Sequence, residues 1–280
     1  MNKKNLPIGI FDSGIGGLTV LKALEERLPL ETYIYIGDTA RVPYGIRSKE
    51  TVKRYALEIA EFLVENGIKL LVVACNTASA VALDTLKKVL PVPVIGVIEP
   101  GAKAAVNATT RLRIGVIGTE TTIKSNSYLK AIKAISDNIT VITKACPLFV
   151  PLVEEGWTEG PIAELVAQRY LTDLLTAEID TLVLGCTHYP LLKNVIQKTM
   201  GPDVILIDSA EETASAVYEI LKENNLLRSS NSSRKNVYFY VTDAAERFKT
   251  LGQRFLGRSL ENVTTLSLEE VIYEKGWKKA

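Results

Sequence analysis

Two cysteines stand where apolar runs end. Cys75 closes LVVAC and is followed by Asn76, Thr77 and Ser79; Cys186 closes LVLGC and is followed by Thr187 and His188, the only histidine in the chain. A free cysteine by itself is most often a small buried hydrophobe, and a lone histidine is more often structural than catalytic. Two thiols at matching positions, each followed by hydroxyl or amide side chains, instead describe a catalytic pair. A histidine next to such a cysteine serves as acid or base near neutral pH, or favours a thiolate. Cys146 has no partner in the first half and is read as a buried hydrophobe.

Few chemistries use both thiols. A structural zinc site wants about four ligands with Cys-x-x-Cys or Cys/His spacing, which is missing here. Reactive redox pairs come as Cys-x-x-Cys on one loop, and a cysteine hydrolase leaves the second thiol unexplained. Two acid/base groups on opposite faces of one carbon use both: one removes a proton, the other returns one, and the stereocentre inverts. A thiol with a pKa of ~8.5 rests in either protonation state near neutrality. Ser13, Asn76, Thr77, Thr119 and Thr187 offer hydrogen bonds for the anionic intermediate. This chemistry calls for no cofactor and no metal, and no lysine stands at these positions to hold pyridoxal. A two-lobed protein that only closes on an acidic amino acid would need the carboxylate-holding residues but not a thiol on each side.

The elements that must position these groups read as strands alternating with helices. Strands are expected at Ile8–Phe11, Tyr33–Ile36, Leu70–Ala74 and Val94–Ile98, then Ile114–Ile117, Thr140–Thr143, Thr181–Leu184 and Val204–Ile207. The clearest helix, Lys49 to Asn66, carries an apolar stripe and is ended by Gly67. The order implies α/β architecture with parallel sheets covered on both faces. The halves also repeat: Ile8-Gly9 matches Ile114-Gly115, Val42-Pro43 matches Val150-Pro151, and LVVACNT matches LVLGCTH, at a slowly growing offset. The expected fold is two pseudo-symmetric lobes with the site in the cleft between them. After Asp208 come an amphipathic stretch (Ala210–Leu227), the polar segment SSNSSRKN (229–236) read as an exposed loop, a strand (Val237–Thr242), a helix opened by Asp243, and a strand near Val263–Leu266. This tail is assigned back to the first lobe, giving a discontinuous domain of residues 1–98 and 208–280 with residues 99–207 inserted.

Ligands of open parallel sheets bind beyond the carboxyl ends of the strands, and the polar residues fall there. FDSGIGG supplies Asp12 and Ser13, with Gly14, Gly16 and Gly17 expected to give backbone freedom and amides for an anion. GDTARVPYG supplies Asp38, Tyr44 and Gly45; the second half supplies Thr119 and, in PLVEEG, Glu154. The glycine spacing is neither a dinucleotide fingerprint nor a P-loop.

Composition narrows the class. The 280 residues are 47% hydrophobic and 23% charged, with a net charge of +1, which suits packed cores and gives no basic tract to follow a phosphate backbone. Nucleic acid is therefore an unexpected partner, and a small molecule the expected one. The longest nearly apolar run, Val89 to Ile98, is half a membrane span and holds two prolines. No signal-peptide pattern opens the sequence, and three widely spaced cysteines fit a reducing, cytoplasmic setting.

GIFDSGIGGLTVL, GDTARVPYG, VVACNTASA and LVLGCTHYPLL together resemble the aspartate/glutamate racemase family, and within it the bacterial glutamate racemases, from about Ile8 to Ala214. The resemblance implies cofactor-independent interconversion of L- and D-glutamate, D-glutamate for peptidoglycan, and a homodimer. It implies that Cys75 acts on the proton of D-glutamate and Cys186 on that of L-glutamate. Asp12 and His188 would assist the thiols, with Glu154 and Asp38 as further acidic candidates. Asp12, Ser13, Tyr44, Gly45, Asn76, Thr77, Thr187 and His188 would hold the substrate. The family also contains aspartate and hydantoin racemases and a one-cysteine decarboxylase, which the second cysteine disfavours. GDTARVPYG and CTHYPLL favour glutamate over aspartate.

Overall fold

A short apolar run bounded by Gly, Asp or Asn buries both faces most economically as an inner strand of a helix-covered parallel sheet. The computed structural model, which describes residues 3–229 and 237–267, arranges the runs in that way. In chain order the elements are β1 (Ile8–Asp12), α1 (Leu18–Arg27), β2 (Tyr33–Gly37), α2 (Lys49–Glu65), β3 (Leu70–Val73), α3 (Asn76–Val89), β4 (Val94–Gly96) and α4 (Ile98–Ala108). The chain continues through β5 (Arg113–Gly118), α5 (Glu120–Lys124), α6 (Ser127–Ile135), β6 (Thr140–Ala145), α7 (Phe149–Glu154), α8 (Pro161–Thr176), β7 (Thr181–Gly185), α9 (Lys193–Met200) and β8 (Ile205–Asp208). It closes with α10 (Ser209–Glu223), β9 (Val237–Val241), α11 (Ala245–Leu256) and β10 (Val263–Thr265).

Two sheets result, ordered β10-β9-β2-β1-β3-β4 and β6-β5-β7-β8, with every described pairing parallel. The repeat seen in the sequence is a repeat of topology: β1 lies between β2 and β3 with β4 beyond, and β5 lies between β6 and β7 with β8 beyond. Gly9 and Gly115 occupy matching places on the two central strands. A Cβ on Gly9 would come within 2.8 Å of Ile68, and one on Gly115 within 2.4 Å of Ile179. The matched Val-Pro pairs diverge, however, since Val42-Pro43 is a cis bond in a loop while Val150-Pro151 lies inside α7.

The strands β9 and β10 extend the first sheet from β2 outward. The chain reaches them past a buried ion pair in which Lys69 Nζ donates to Glu31 Oε2 (2.5 Å) and to the carbonyls of Lys4 and Leu226. Helix α10 packs on both α1 and α4, so one helix binds elements that flank the two sheets.

Several boundaries differ from expectation. The strand expected over Val94–Ile98 stops at Gly96, because Ile98 opens α4 with Pro100 in the first turn, where a missing N–H costs nothing. Strand β8 starts at Ile205 instead of Val204. Asp243 does not itself open the tail helix: its carboxylate accepts from the Ala244 amide, Ala244 adopts φ 52°, and α11 starts one residue later. Gly67 ends α2 as expected, at φ 76°. The segment expected to be an exposed loop, 229–236, lies from residue 230 outside the described residues. No described helix is long and apolar enough to cross a membrane.

Candidate active site

Strand register decides which residues leave each sheet together. In the first sheet Asp12 pairs with Gly37 and Phe11 with Val73, so Asp12, Ser13, Asp38 and Cys75 emerge at one end. In the second, Gly118 pairs with both Ala145 and Gly185, so Thr119, Cys146 and Cys186 emerge level with one another. Cys75 directly precedes α3, whose N-terminal amides favour negative charge beside the thiol. Both candidate thiols are buried, at 5% and 7% exposure. Cys75 Sγ lies 3.5 Å from Ser13 Oγ, and Cys186 Sγ lies 4.0 Å from His188 Nδ1.

The two sets of loops touch through backbone where side chains are missing. A Cβ on Gly16 would come within 2.2 Å of Thr187 Oγ1 and 2.5 Å of His188 Nδ1, so only glycine lets the β1 loop lie against the pair that follows Cys186. A Cβ on Gly45 would come within 2.8 Å of Thr119. Hydroxyls complete the contact. Thr77 lies 3.0 Å from Thr119 and 3.3 Å from Thr122, Thr121 donates to the Gly45 carbonyl (2.8 Å), and Thr19 donates to the Thr187 carbonyl (3.3 Å). Cys75 and Cys186 thereby fall within reach of each other's charge.

The glycine run works differently from expectation. None of Gly14, Gly16 and Gly17 adopts positive φ; at Gly16 the requirement is room. The amides expected to receive an anion already hold one: Gly14, Gly17 and Ser13 donate to the Asp12 carboxylate. Asp12 is wholly buried, and its other oxygen, Oδ1, has no partner among the described residues. The Asn76 amide Nδ2 is likewise buried and unpaired. Buried polar atoms are seldom left unpaired, and here an acceptor on Asp12, whose charge reaches Cys75, and a donor on Asn76, the residue after Cys75, match an ammonium and a carboxylate.

The two thiols sit in opposite electrostatic settings. Burial, and then the Asp12 charge, push the Cys75 thiol up to about 12 against the Ser13 and Ala78 hydrogen bonds; burial likewise raises Asp12, partly offset by His188 and the loop amides. Cys75 therefore holds its proton. On the other side, burial lowers His188, but hydrogen bonds to Cys186 and Glu154 outweigh it and push the imidazole up to about 10. Glu154 Oε1 lies 3.3 Å from His188 Nε2 and is held below the usual carboxylate range by that contact. The raised imidazole stands beside Cys186.

Asp38 and Tyr44 are committed to each other. Asp38 accepts from Arg41 Nε (2.7 and 3.0 Å), Thr242 Oγ1 (3.0 Å) and the Tyr44 hydroxyl. This cluster pins the loop that presents Gly45, so the Tyr44 hydroxyl is already engaged. Cys146 is fully buried behind the site, its thiol directed at the Lys144 carbonyl (3.7 Å).

Three contacts to the site escaped the sequence reading. Tyr128 of α6 donates to Asn76 Oδ1 at 2.7 Å, Thr122 joins the Thr77–Thr119 hydroxyl group, and Phe255 of α11 stands edge-on to the His188 ring at 5.4 Å. Thr122 carried a signal, since it follows the Thr119 strand end by one helical turn; Tyr128 and Phe255 lie inside amphipathic helices and carried none. Arg247 approaches Glu154 at 3.8 Å, and a cavity of about 360 Å³ beside this α7–α11 contact is lined by Val153, Glu155, Gly156, Thr158, Leu191 and Arg254, neither thiol among them.

Twin parallel sheets that each end in a thiol, one beside a carboxylate and one beside an imidazole, define a class of amino-acid racemases, and the chain belongs to it: residues 16–217 match the family described as Asp/Glu/Hydantoin racemase. Within that family it is 60% identical to glutamate racemase of Geobacter metallireducens over 262 residues, covering 94% of this chain and 97% of that one. Among solved structures it is similar to glutamate racemase of Francisella tularensis in complex with D-glutamate, with a TM-score of 0.90, 41% identity and coverage of 95% and 99%. It is also similar to the Thermus thermophilus glutamate racemase in complex with beta-chloro-D-alanine, with a TM-score of 0.87, 48% identity and coverage of 95% and 99%.

Proposed function

We propose that this chain interconverts L- and D-glutamate by passing a Cα proton between Cys186 on one face and Cys75 on the other. The observation that carries the reading is the opposed setting of the two thiols, Cys75 held protonated by burial and Asp12, Cys186 backed by a charged His188. Starting from L-glutamate, the Cys186 thiolate takes the Cα proton and becomes a thiol. The electron pair spreads into the α-carboxylate, and the Cys75 thiol delivers its proton to the opposite face and becomes a thiolate. D-Glutamate leaves, and the reverse sequence follows the same steps backwards. Asp12, itself raised by burial, and His188 are the neighbours through which the thiols regain their starting protonation.

Substrate charges find their partners in the same geometry. The free Asp12 oxygen accepts from the ammonium, and the free Asn76 amide donates to a carboxylate. Hydroxyls of Ser13, Thr77, Thr119 and Thr187 and the N-terminus of α3 supply further donors as charge builds on the carboxylate. The relatives named as glutamate racemases support glutamate as the substrate.

By the same reading, D-glutamate goes to peptidoglycan synthesis, and the enzyme is a cytoplasmic homodimer whose free cysteines stay reduced. The test is incubation with L-glutamate in heavy water, with L-aspartate alongside. Inversion of glutamate with deuterium at Cα is expected. Folded protein that neither inverts nor exchanges glutamate refutes the reading, and preferential turnover of aspartate refutes the substrate.

A further inference from the structure

Tyr128 touches both thiol-bearing segments. The residue is 2% exposed, its hydroxyl donates to Asn76 Oδ1 at 2.7 Å, and Asn76 is the residue after Cys75. Its ring lies against Gly185, the residue before Cys186, where a Cβ would come within 3.1 Å of Tyr128 Cε2. Gly101 of α4 closes the other side, with a Cβ position 3.5 Å from the phenol oxygen. The ring is therefore fixed by close-packed backbone, and its hydroxyl, which also meets the Ser209 side chain in a hydrogen bond, gives its own proton to Asn76.

A carboxamide has an acceptor end and a donor end, and which end faces a ligand is set by the hydrogen bonds around it. Burial pushes the Tyr128 phenol far above its ordinary value, so it stays a donor at any working pH. A donor at Oδ1 leaves Nδ2 for other partners, and Nδ2 is buried with none among the described residues. We propose that Tyr128 is a positioning residue: it fixes the Asn76 carboxamide with its N–H groups toward the substrate carboxylate and makes that orientation depend on the second lobe. The inference rests on the racemase reading. When the Cα proton leaves, negative charge moves onto the carboxylate oxygens, so a donor held there gains strength in the transition state, and kcat should respond more than KM.

The experiment is a double-mutant cycle of Tyr128→Phe, Asn76→Ala and both together, with kcat and KM measured for glutamate and folding checked by thermal melting. Because the positioning acts through Asn76, Tyr128→Phe should lower kcat about tenfold with KM within about threefold. Added to Asn76→Ala, it should change nothing further. Wild-type kcat in Tyr128→Phe, or full additivity in the double variant, overturns the inference. A second readout needs no change at position 128: the Asn76 side-chain N–H resonances of the wild type, assigned through Asn76→Ala, must shift when glutamate binds. Resonances that stay put also overturn it. Wild-type protein that does not racemise glutamate defeats the underlying reading, whereas an active wild type with additive variants defeats only the role of Tyr128.

Discussion

Changing Glu154→Gln removes the charge that faces His188 Nε2 at 3.3 Å while keeping the shape of the side chain. A hydrogen bond to a charged group contributes about 1.5–3 kcal/mol, or roughly 1–2 pKa units. The Glu154 side chain is 33% exposed, so screening takes the lower end, and His188 should fall by roughly one unit. From about 10 in the wild type, it should titrate near ~9 in the variant. The sign follows from the role: the imidazolium that favours the Cys186 thiolate is lost as pH rises through the His188 value, so the alkaline limb of kcat/KM moves down. Cys75, pushed up to about 12, keeps its proton through this window and does not obscure it. The variant should lose about threefold in kcat/KM near pH ~9.5 and only about a tenth near pH ~8. L- and D-glutamate are mirror images with an equilibrium constant of unity, so the loss must be equal in both directions. His188 is the only histidine in the chain, which makes its ring resonances a direct titration probe. A wild-type imidazole that titrates near the ordinary ~6.5, or an alkaline limb unmoved by Glu154→Gln, refutes the imidazolium–thiolate account.

Cys75→Ser and Cys186→Ser should each lower kcat/KM by about 10²–10⁴-fold in both directions, because a serine hydroxyl neither gives nor takes a carbon-bound proton near neutral pH; full activity in either variant, measured by circular dichroism of the product, removes the two-thiol assignment. Gly16→Ala drives a methyl into Thr187 Oγ1 and His188 Nδ1, and should cost more activity than stability, seen as a large fall in kcat/KM with a melting temperature lowered by no more than about 2–4 °C.

Much of the site was legible because strand ends are local features. An apolar run that stops at a cysteine or aspartate marks the carboxyl edge of a sheet, so Asp12, Cys75, Thr119 and Cys186 were placed by pattern alone. The twin strand order behind LVVACNT and LVLGCTH followed from the same repeat. The glycine run was misread in its mechanism, since the sequence shows where side chains are missing but not what would occupy their space. The carboxylates looked alike in the sequence and separate in the structure: Asp38 is taken up by Arg41, Tyr44 and Thr242, while Glu154 reaches His188.

What the sequence determined by itself was the alternation of strands and helices, the duplication, and the residues that stand at strand ends, because hydrophobic period and chain punctuation act over a few residues. Only the tertiary structure decided which of those ends face one another and in what protonation state. Burial raises Cys75, and a hydrogen bond that His188 donates to a carboxylate 34 positions away in the chain raises the imidazole. Such effects depend on distance through space, and Tyr128 shows the same: an ordinary helix residue in the sequence, it becomes a neighbour of both thiol segments only when the two lobes meet.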